Sequence, residues 1–275
     1  MKKNNQVIKE KGMAGEKEAV GKGGREKSRR DFLKSTAAFT GGVMAFGLLK
    51  GTNALVFAAA EPASETGPWY GIGIDILKCI GCGKCAAACK KENHVPEEPW
   101  YFRSWVEKYT ITKDGEVHVE SPNGGINGFT ETIPEEEIFK SFFVPKMCNH
   151  CYQSPCVQVC PVGASYDSPE GVVLVDEKYC IGCRYCIQAC PYGCRFINPV
   201  TKSADKCTLC YHRIAEGLMP ACFEVCPTGA RIFGDLRDEN GELHKFLQTH
   251  NVQVLKPHLN TGSKLYYNAL SQEVR

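Results

Sequence analysis

"CIGCRYCIQACPYGC", residues 180–194, places five cysteines in fifteen positions. Four of them, Cys180, Cys183, Cys186 and Cys190, follow the spacing C-x2-C-x2-C-x3-C-P, and the fifth, Cys194, stands outside it. Outward from this stretch the spacing returns three times. Cys79, Cys82, Cys85 and Cys89 repeat it without the proline. Cys148, Cys151, Cys156 and Cys160 repeat it with two extra residues in the middle gap, and Cys207, Cys210, Cys222 and Cys226 with a long middle gap. Seventeen cysteines in 275 residues could suggest disulfides, but disulfide proteins seldom repeat one short spacing. Repetition points to metal.

The run "CIGCRYCIQACP" resembles that of two-cluster bacterial ferredoxins, where three thiolates go to one [4Fe–4S] cube and the fourth to its neighbour. Three cysteines on a tight loop can each reach a corner of one cube. The fourth is expected to open the following helix and face away, and the proline after it starts a new chain direction. Groups two and three, joined through the strand-like "GVVLVD", form one such unit. Its swapped ligation puts Cys148, Cys151, Cys156 and Cys190 on one cluster, and Cys180, Cys183, Cys186 and Cys160 on the next. Groups one and four are left to pair across that unit, with Cys79, Cys82, Cys85 and Cys226 on a third cluster, and Cys207, Cys210, Cys222 and Cys89 on a fourth. The fold expected is α+β, with two interleaved ferredoxin-like βαβ units. Zinc is the rival metal, but a zinc ribbon uses separated C-x2-C knuckles without a third cysteine two residues on. There is no C-x-x-C-H for covalent haem and no C-x3-C-x2-C run for a radical enzyme. "GIGID" lacks the third glycine of a dinucleotide site and reads as the start of a strand.

Residues 1–60 read as an address. They hold twelve Lys/Arg against five Asp/Glu, so the net +2 of the chain leaves −5 for the remainder, and the basic excess is no argument for nucleic acid. "SRRDFLK" is similar to the twin-arginine export signal, with Arg29 and Arg30 as the pair, and Ala58-x-Ala60 supplies a small-residue cleavage site before Glu61. The apolar stretch between them is interrupted by Gly41, Gly42, Gly47, Lys50 and Gly51, which suits a signal better than a permanent span. Cluster assembly needs reduced thiols and oxidising compartments would join them, so loading and folding inside, then export as folded cargo, fits both features. The expected location is periplasmic, on the outer face of the cytoplasmic membrane.

Taken together, "CIGCRYC", "ACPYG", "KCTLCYHRIAEGLMPAC" and "CPTGARIFGDL" resemble the four-cluster iron–sulfur subunits of the dimethyl sulfoxide reductase superfamily over about residues 70–236. The exported subunit of the sulfite-reduction-associated transmembrane complex is the nearest pattern, followed by those of polysulfide- and tetrathionate-type reductases. The resemblance implies an electron-transfer subunit and not an enzyme in itself. It implies four [4Fe–4S] clusters, and as partners a multi-pass quinone-reactive membrane subunit with a molybdopterin catalytic subunit or a multihaem cytochrome. A freely diffusing polyferredoxin carrier is the alternative, and a zinc-bound structural module a weaker one.

Residues 61–236 form the expected cluster domain, with an insert at 90–147 and a C-terminal extension at 237–275. In the insert, "YFRSWVEKYTITKDGEVHVE" reads as a β-hairpin about a Lys-Asp-Gly turn, and "IFKSFFVPKMC" as a strand. Either the hairpin covers the clusters or Trp100, Tyr101, Phe102 and Trp105 make a docking surface. "GELHKFLQTH" reads as a short helix, while "NTGSKLYYNAL" is expected to reach across a neighbouring surface. His150 and His212 have no missing cysteine to replace and are expected beside the clusters or at the surface. Lys84, Lys90, Arg184 and Lys206 adjoin the cluster loops, either offsetting cluster charge or simply solvated. Cys194 is expected to pack as a small hydrophobe.

Overall fold

The computed structural model describes residues 67–98, 101–130 and 132–274. The twin-arginine segment, the Ala58-x-Ala60 site and Trp100 lie outside them. β1 (Tyr70–Asp75) grows from "YGIGID", whose isoleucines Ile72 and Ile74 are buried in the core. Between them Gly73 has no side chain, and a Cβ there would stand 2.8 Å from the Phe246 ring, so the backbone itself is the packing surface. Asp75 ends the strand by accepting from the Leu77 N–H at 3.2 Å, and the chain enters the first cysteine loop. A helix, Lys84–Glu92, follows.

The insert supplies β2 (Ser104–Thr112), β3 (Val117–Glu120) and β4 (Ile138–Met147), one antiparallel sheet in the order β3-β2-β4. The expected Lys113-Asp114-Gly115 turn joins the first two, with Gly115 at positive φ and its N–H on the Thr112 carbonyl at 3.0 Å. The loop after β3 lies over the first cysteine loop. A Cβ on Gly83 would stand 2.2 Å from the Gly125 carbonyl oxygen. Arg184 holds the matching position in group three, with the same left-handed backbone (φ 68 against 67), and is exposed, as no such loop covers it.

Two small antiparallel ribbons come next: β5 (Ser165–Asp167) with β6 (Val173–Val175), and β7 (Phe196–Ile197) with β8 (Ala204–Asp205). β9 (Arg231–Asp235), the helix Glu242–Thr249, β10 (Val252–Gln253) and β11 (Leu265–Asn268) complete the chain. β1 sits between β9, antiparallel, and β11, parallel, with β10 at the edge. "NTGSKLYYNAL" therefore corrects the expectation: it does not reach across a surface but supplies a strand of the central sheet, with Leu265 and Tyr267 fully buried. Its alternation of apolar residues is that of a half-buried strand. The short helices also differ from expectation. In groups two, three and four the third cysteine, not the fourth, lies in the helix, whereas the longer helix of group one holds both Cys85 and Cys89; in group three Cys186 is inside Tyr185–Ala189 and Cys190 caps its end. The three residues between them make about one turn, and the proline that follows prevents another.

No helix among the described residues is long and apolar enough to cross a membrane. The fold is thus mixed α/β, with few helices and several small sheets, and its main core interleaves cysteines with aliphatic and aromatic side chains. Cys85, Cys89, Cys148, Cys194, Cys207 and Cys222 share one buried cluster with Ile72, Ile74, Val106 and Leu265.

Candidate metal centres

All seventeen cysteines are free thiols. Cys79, Cys82, Cys85 and Cys226 line one cavity, closed by Val106 of β2 and by Arg231 of β9. Cys89 has the sulfurs of Cys222, Cys207 and Cys210 nearby, and burial foremost pushes its thiol well up. The Asn93 amide joins that set, 3.7 Å from Cys89 Sγ and 3.6 Å from Cys210 Sγ. Cys151 lies among Cys148, Cys156 and Cys190, and burial pushes its pKa up to about 12. Cys180 and Cys186 share a small core cluster with Cys156, whereas Cys160 is half-exposed and Cys183 exposed.

Cysteines of different groups lie near one another. Cys222 lies by Cys85, Cys207 by Cys148, and Cys156 shares its apolar cluster with Cys186. The four groups are therefore linked one to the next, one to four, four to two and two to three. Burial raises Cys79 and Cys156 to about 11 and Cys207 to about 12. These thiols are protonated at neutral pH, so a metal must displace protons to bind there.

The cysteines that precede proline behave otherwise. Burial works to raise Cys160, but the backbone N–H groups of Ser165, Val162, Ala164 and Gly163 outweigh it and lower the pKa. Cys226 is lowered in the same way, against burial, by the Thr228 hydroxyl and by N–H groups of Arg231, Thr228 and Ala230. The cause is a turn that occurs three times: "CPVGAS" from Cys160, "CPYGCR" from Cys190 and "CPTGAR" from Cys226. Gly163, Gly193 and Gly229 take φ of 67, 65 and 62, and each N–H returns to the carbonyl of its cysteine at 3.3–3.4 Å. Such a turn aims successive N–H groups at the sulfur.

This repeat explains Cys194. It fills the slot held by Ala164 and Ala230 in the other two turns, and all three residues are buried. Its thiol lies against the Met147 carbonyl at 3.1 Å. A hydrogen bond from Cys194 is also the largest influence lowering Cys190, to about 5.

The remaining residues separate cleanly. His212 is exposed on Glu92 at 2.8 Å. His150 is buried, its Nδ1 accepting from the Val173 N–H at 3.1 Å. Burial, then Lys206, Lys264 and Arg195 nearby, hold that ring neutral. Lys84 and Arg184 are solvated. Lys90 donates to the Pro96 carbonyl at 2.9 Å, and Lys206 is 1 % exposed with its ammonium on the Val173 and Cys207 carbonyls. Tyr101 stacks on Phe196, Phe102 takes Lys90 on its face, and Trp105 donates to Glu107 at 2.8 Å. The insert thus packs over the thiols, and these three aromatics are engaged within the chain.

Two residues escaped the sequence reading: Arg195 and Arg231, each five places past the cysteine before proline and each 5 % exposed among sulfurs. The signal was the C-P-x-G-x-R repeat. Buried cations without carboxylate partners need anions nearby. Thiolates gathered around a bound metal supply them. The donor sets, the apolar walls and these cations fit iron–sulfur clusters.

Comparisons agree in kind. Two families, each described as "4Fe-4S dicluster domain", match residues 78–164 and 139–236. A tetrathionate reductase subunit of Salmonella typhimurium is 37 % identical over 249 residues, 89 % of either protein. Protein NrfC of Escherichia coli is 39 % identical, covering 87 % of this chain and 94 % of its own. A polysulfide reductase chain of Wolinella succinogenes is 36 % identical, covering 72 % and 92 %.

Proposed function

The protein belongs to the 4Fe-4S dicluster iron–sulfur subunits, a family that includes those of tetrathionate and polysulfide reductases and NrfC, and from this we propose that it is the exported electron-relay subunit of a respiratory reductase complex. It is an electron-transfer subunit and not the catalytic one. Its cysteines hold four [4Fe–4S] clusters in two interleaved ferredoxin-like units. Sixteen act as ligands in the sets led by Cys79, Cys207, Cys148 and Cys180, with Cys226, Cys89, Cys190 and Cys160 exchanged between paired loops. Each bound cluster supplies a reversible one-electron couple.

The succession of neighbouring cysteines supports this reading: Cys85 near Cys222, Cys207 near Cys148, Cys156 near Cys186. A row of closely spaced sulfur sites is what a relay requires. Exposed cysteines occur only in the first and last sets, Cys82 and Cys183, with the inner sets buried or half-buried. The outer sets would face the partners, a quinone-reactive membrane subunit and either a molybdopterin or a multihaem subunit. Between them, the chain's residues exclude water, hold thiolates and set local charge.

Purified without oxygen, the full chain is expected to be brown, with about sixteen iron and sixteen sulfide per molecule. A colourless protein with zinc in place of iron would overturn the relay. Export is tested separately. Replacing both Arg29 and Arg30 with lysine is expected to leave the protein in the cytoplasm with its iron intact, since the pair is the address and no ligand. Unchanged delivery of that variant to the periplasm refutes the twin-arginine route.

A further inference from the structure

Arg195 and Arg231 are buried in corresponding places. Arg231 donates from Nη2 to Cys85 Sγ at 3.3 Å and to Ser104 Oγ at 2.8 Å, and from Nη1 to Met147 Sδ at 3.2 Å and Cys222 Sγ at 3.7 Å. Arg195 donates from Nη2 to Cys156 Sγ at 3.0 Å and from Nη1 to Ser165 Oγ at 2.9 Å, and Cys186, which shares a core cluster with Cys156, is among the sulfurs close enough to act on its charge. The match is specific. Cys85 and Cys222 are the third cysteines of groups one and four; Cys156 and Cys186 are the third cysteines of groups two and three. Arg231 thus bridges the two loops of one paired unit, Arg195 holds one loop of the other with Cys186 of the second close by, and a serine hydroxyl holds each fork in place.

Other buried or half-buried cations are spent elsewhere. Arg103 pairs with Asp205, Lys146 with Glu107 and Arg213 with Glu92. Lys206 gives its ammonium to two backbone carbonyls. Among the described residues, Arg195 and Arg231 direct a planar fork at the sulfurs of two neighbouring sets.

We propose that Arg195 and Arg231 are positioning residues shared between clusters, each lifting the reduction potentials of the two sites it lies beside. The assignment rests on the relay reading above. A four-thiolate cube is anionic and becomes more so on reduction. A fixed buried cation in contact with its ligands therefore favours the reduced form, and N–H···S bonds act in the same direction. Because each arginine lies beside two sets, the four potentials are grouped in pairs.

The test is a redox titration of the full, anaerobically loaded chain, followed by electron paramagnetic resonance. In Arg231→Gln two of the four potentials are expected to fall. Each should change its oxidised-to-reduced ratio at least tenfold at fixed ambient potential, about 59 mV for a one-electron couple. In Arg195→Gln the other two should fall, and lysine at either position should recover part of the shift. Four unchanged potentials, or all four moving alike in either variant, would overturn the proposal. Should Arg231→Gln lose iron, Arg231→Lys decides: restored loading supports the charge, and loss equal to that of glutamine refutes it. A wild-type chain without iron–sulfur signals would instead remove the relay itself, so the two failures are distinguishable.

Discussion

Stripped of iron by acid and chelator under reducing conditions, this protein is expected to lose its cooperative thermal transition and its near-ultraviolet circular dichroism. The argument is electrostatic before it is steric. Arg231 and Lys206 are 5 % and 1 % exposed, and neither has a carboxylate partner among the described residues. Without metal, the thiols around them are neutral at pH 7, since burial raises Cys79 and Cys156 to about 11 and Cys207 to about 12. Each uncompensated buried cation costs several kcal/mol, and a domain of this kind has about 5–15 kcal/mol in all. Two such charges, with the metal-to-sulfur bonds gone as well, exhaust most of that margin. An iron-free sample that still melts in one sharp transition would refute the dependence.

Replacing Cys226 by serine is expected to alter one cluster alone, and the cluster affected should be the one held by Cys79, Cys82 and Cys85. The four thiols line one cavity although Cys226 is 141 residues beyond Cys85 in the chain. Iron should fall from about sixteen toward about twelve per molecule. The resonance lost should be the same one lost in Cys79→Ser and different from the one lost in Cys190→Ser. If Cys226→Ser and Cys148→Ser lose the same signal, the exchange of fourth ligands is wrong. Overall folding should survive better here than after complete iron removal, because the inner sets and Arg195 are untouched.

What could be read from the amino-acid sequence was local. The C-x2-C-x2-C spacing, the Lys113–Gly115 turn and the run Tyr70–Asp75 each carry their signal within a few residues. The helix Glu242–Thr249 likewise follows from apolar spacing on one face. The strand Leu265–Asn268 was missed as a strand because its partner, Ile72, lies far back in the chain and no turn links them. The buried arginines were missed for another reason. A charged residue beside a loop reads as solvated, and only comparison of "CPYGCR" with "CPTGAR" shows that the position repeats. The same comparison turns Cys194 from an extra thiol into a variant of Ala164 and Ala230. Its burial was legible; its place next to Cys190 was not.

The parallel pairing of β1 with β11 has a consequence in time. All seventeen cysteines lie between these two strands in the sequence, from Cys79 to Cys226, while Ile72 meets Leu265. The central sheet can close only after the polypeptide through Asn268 has been made, so its completion is a late, long-range event of the kind that slows folding. Until then Ile72 and Ile74 lack one neighbour and the cysteine loops hang from an open edge. Closure brings Tyr267 into the core, its hydroxyl on the Pro145 carbonyl at 3.1 Å. The strand pair therefore acts as a clasp, which leaves the cysteine-bearing part of the chain unfastened at one end until its last strand is in place.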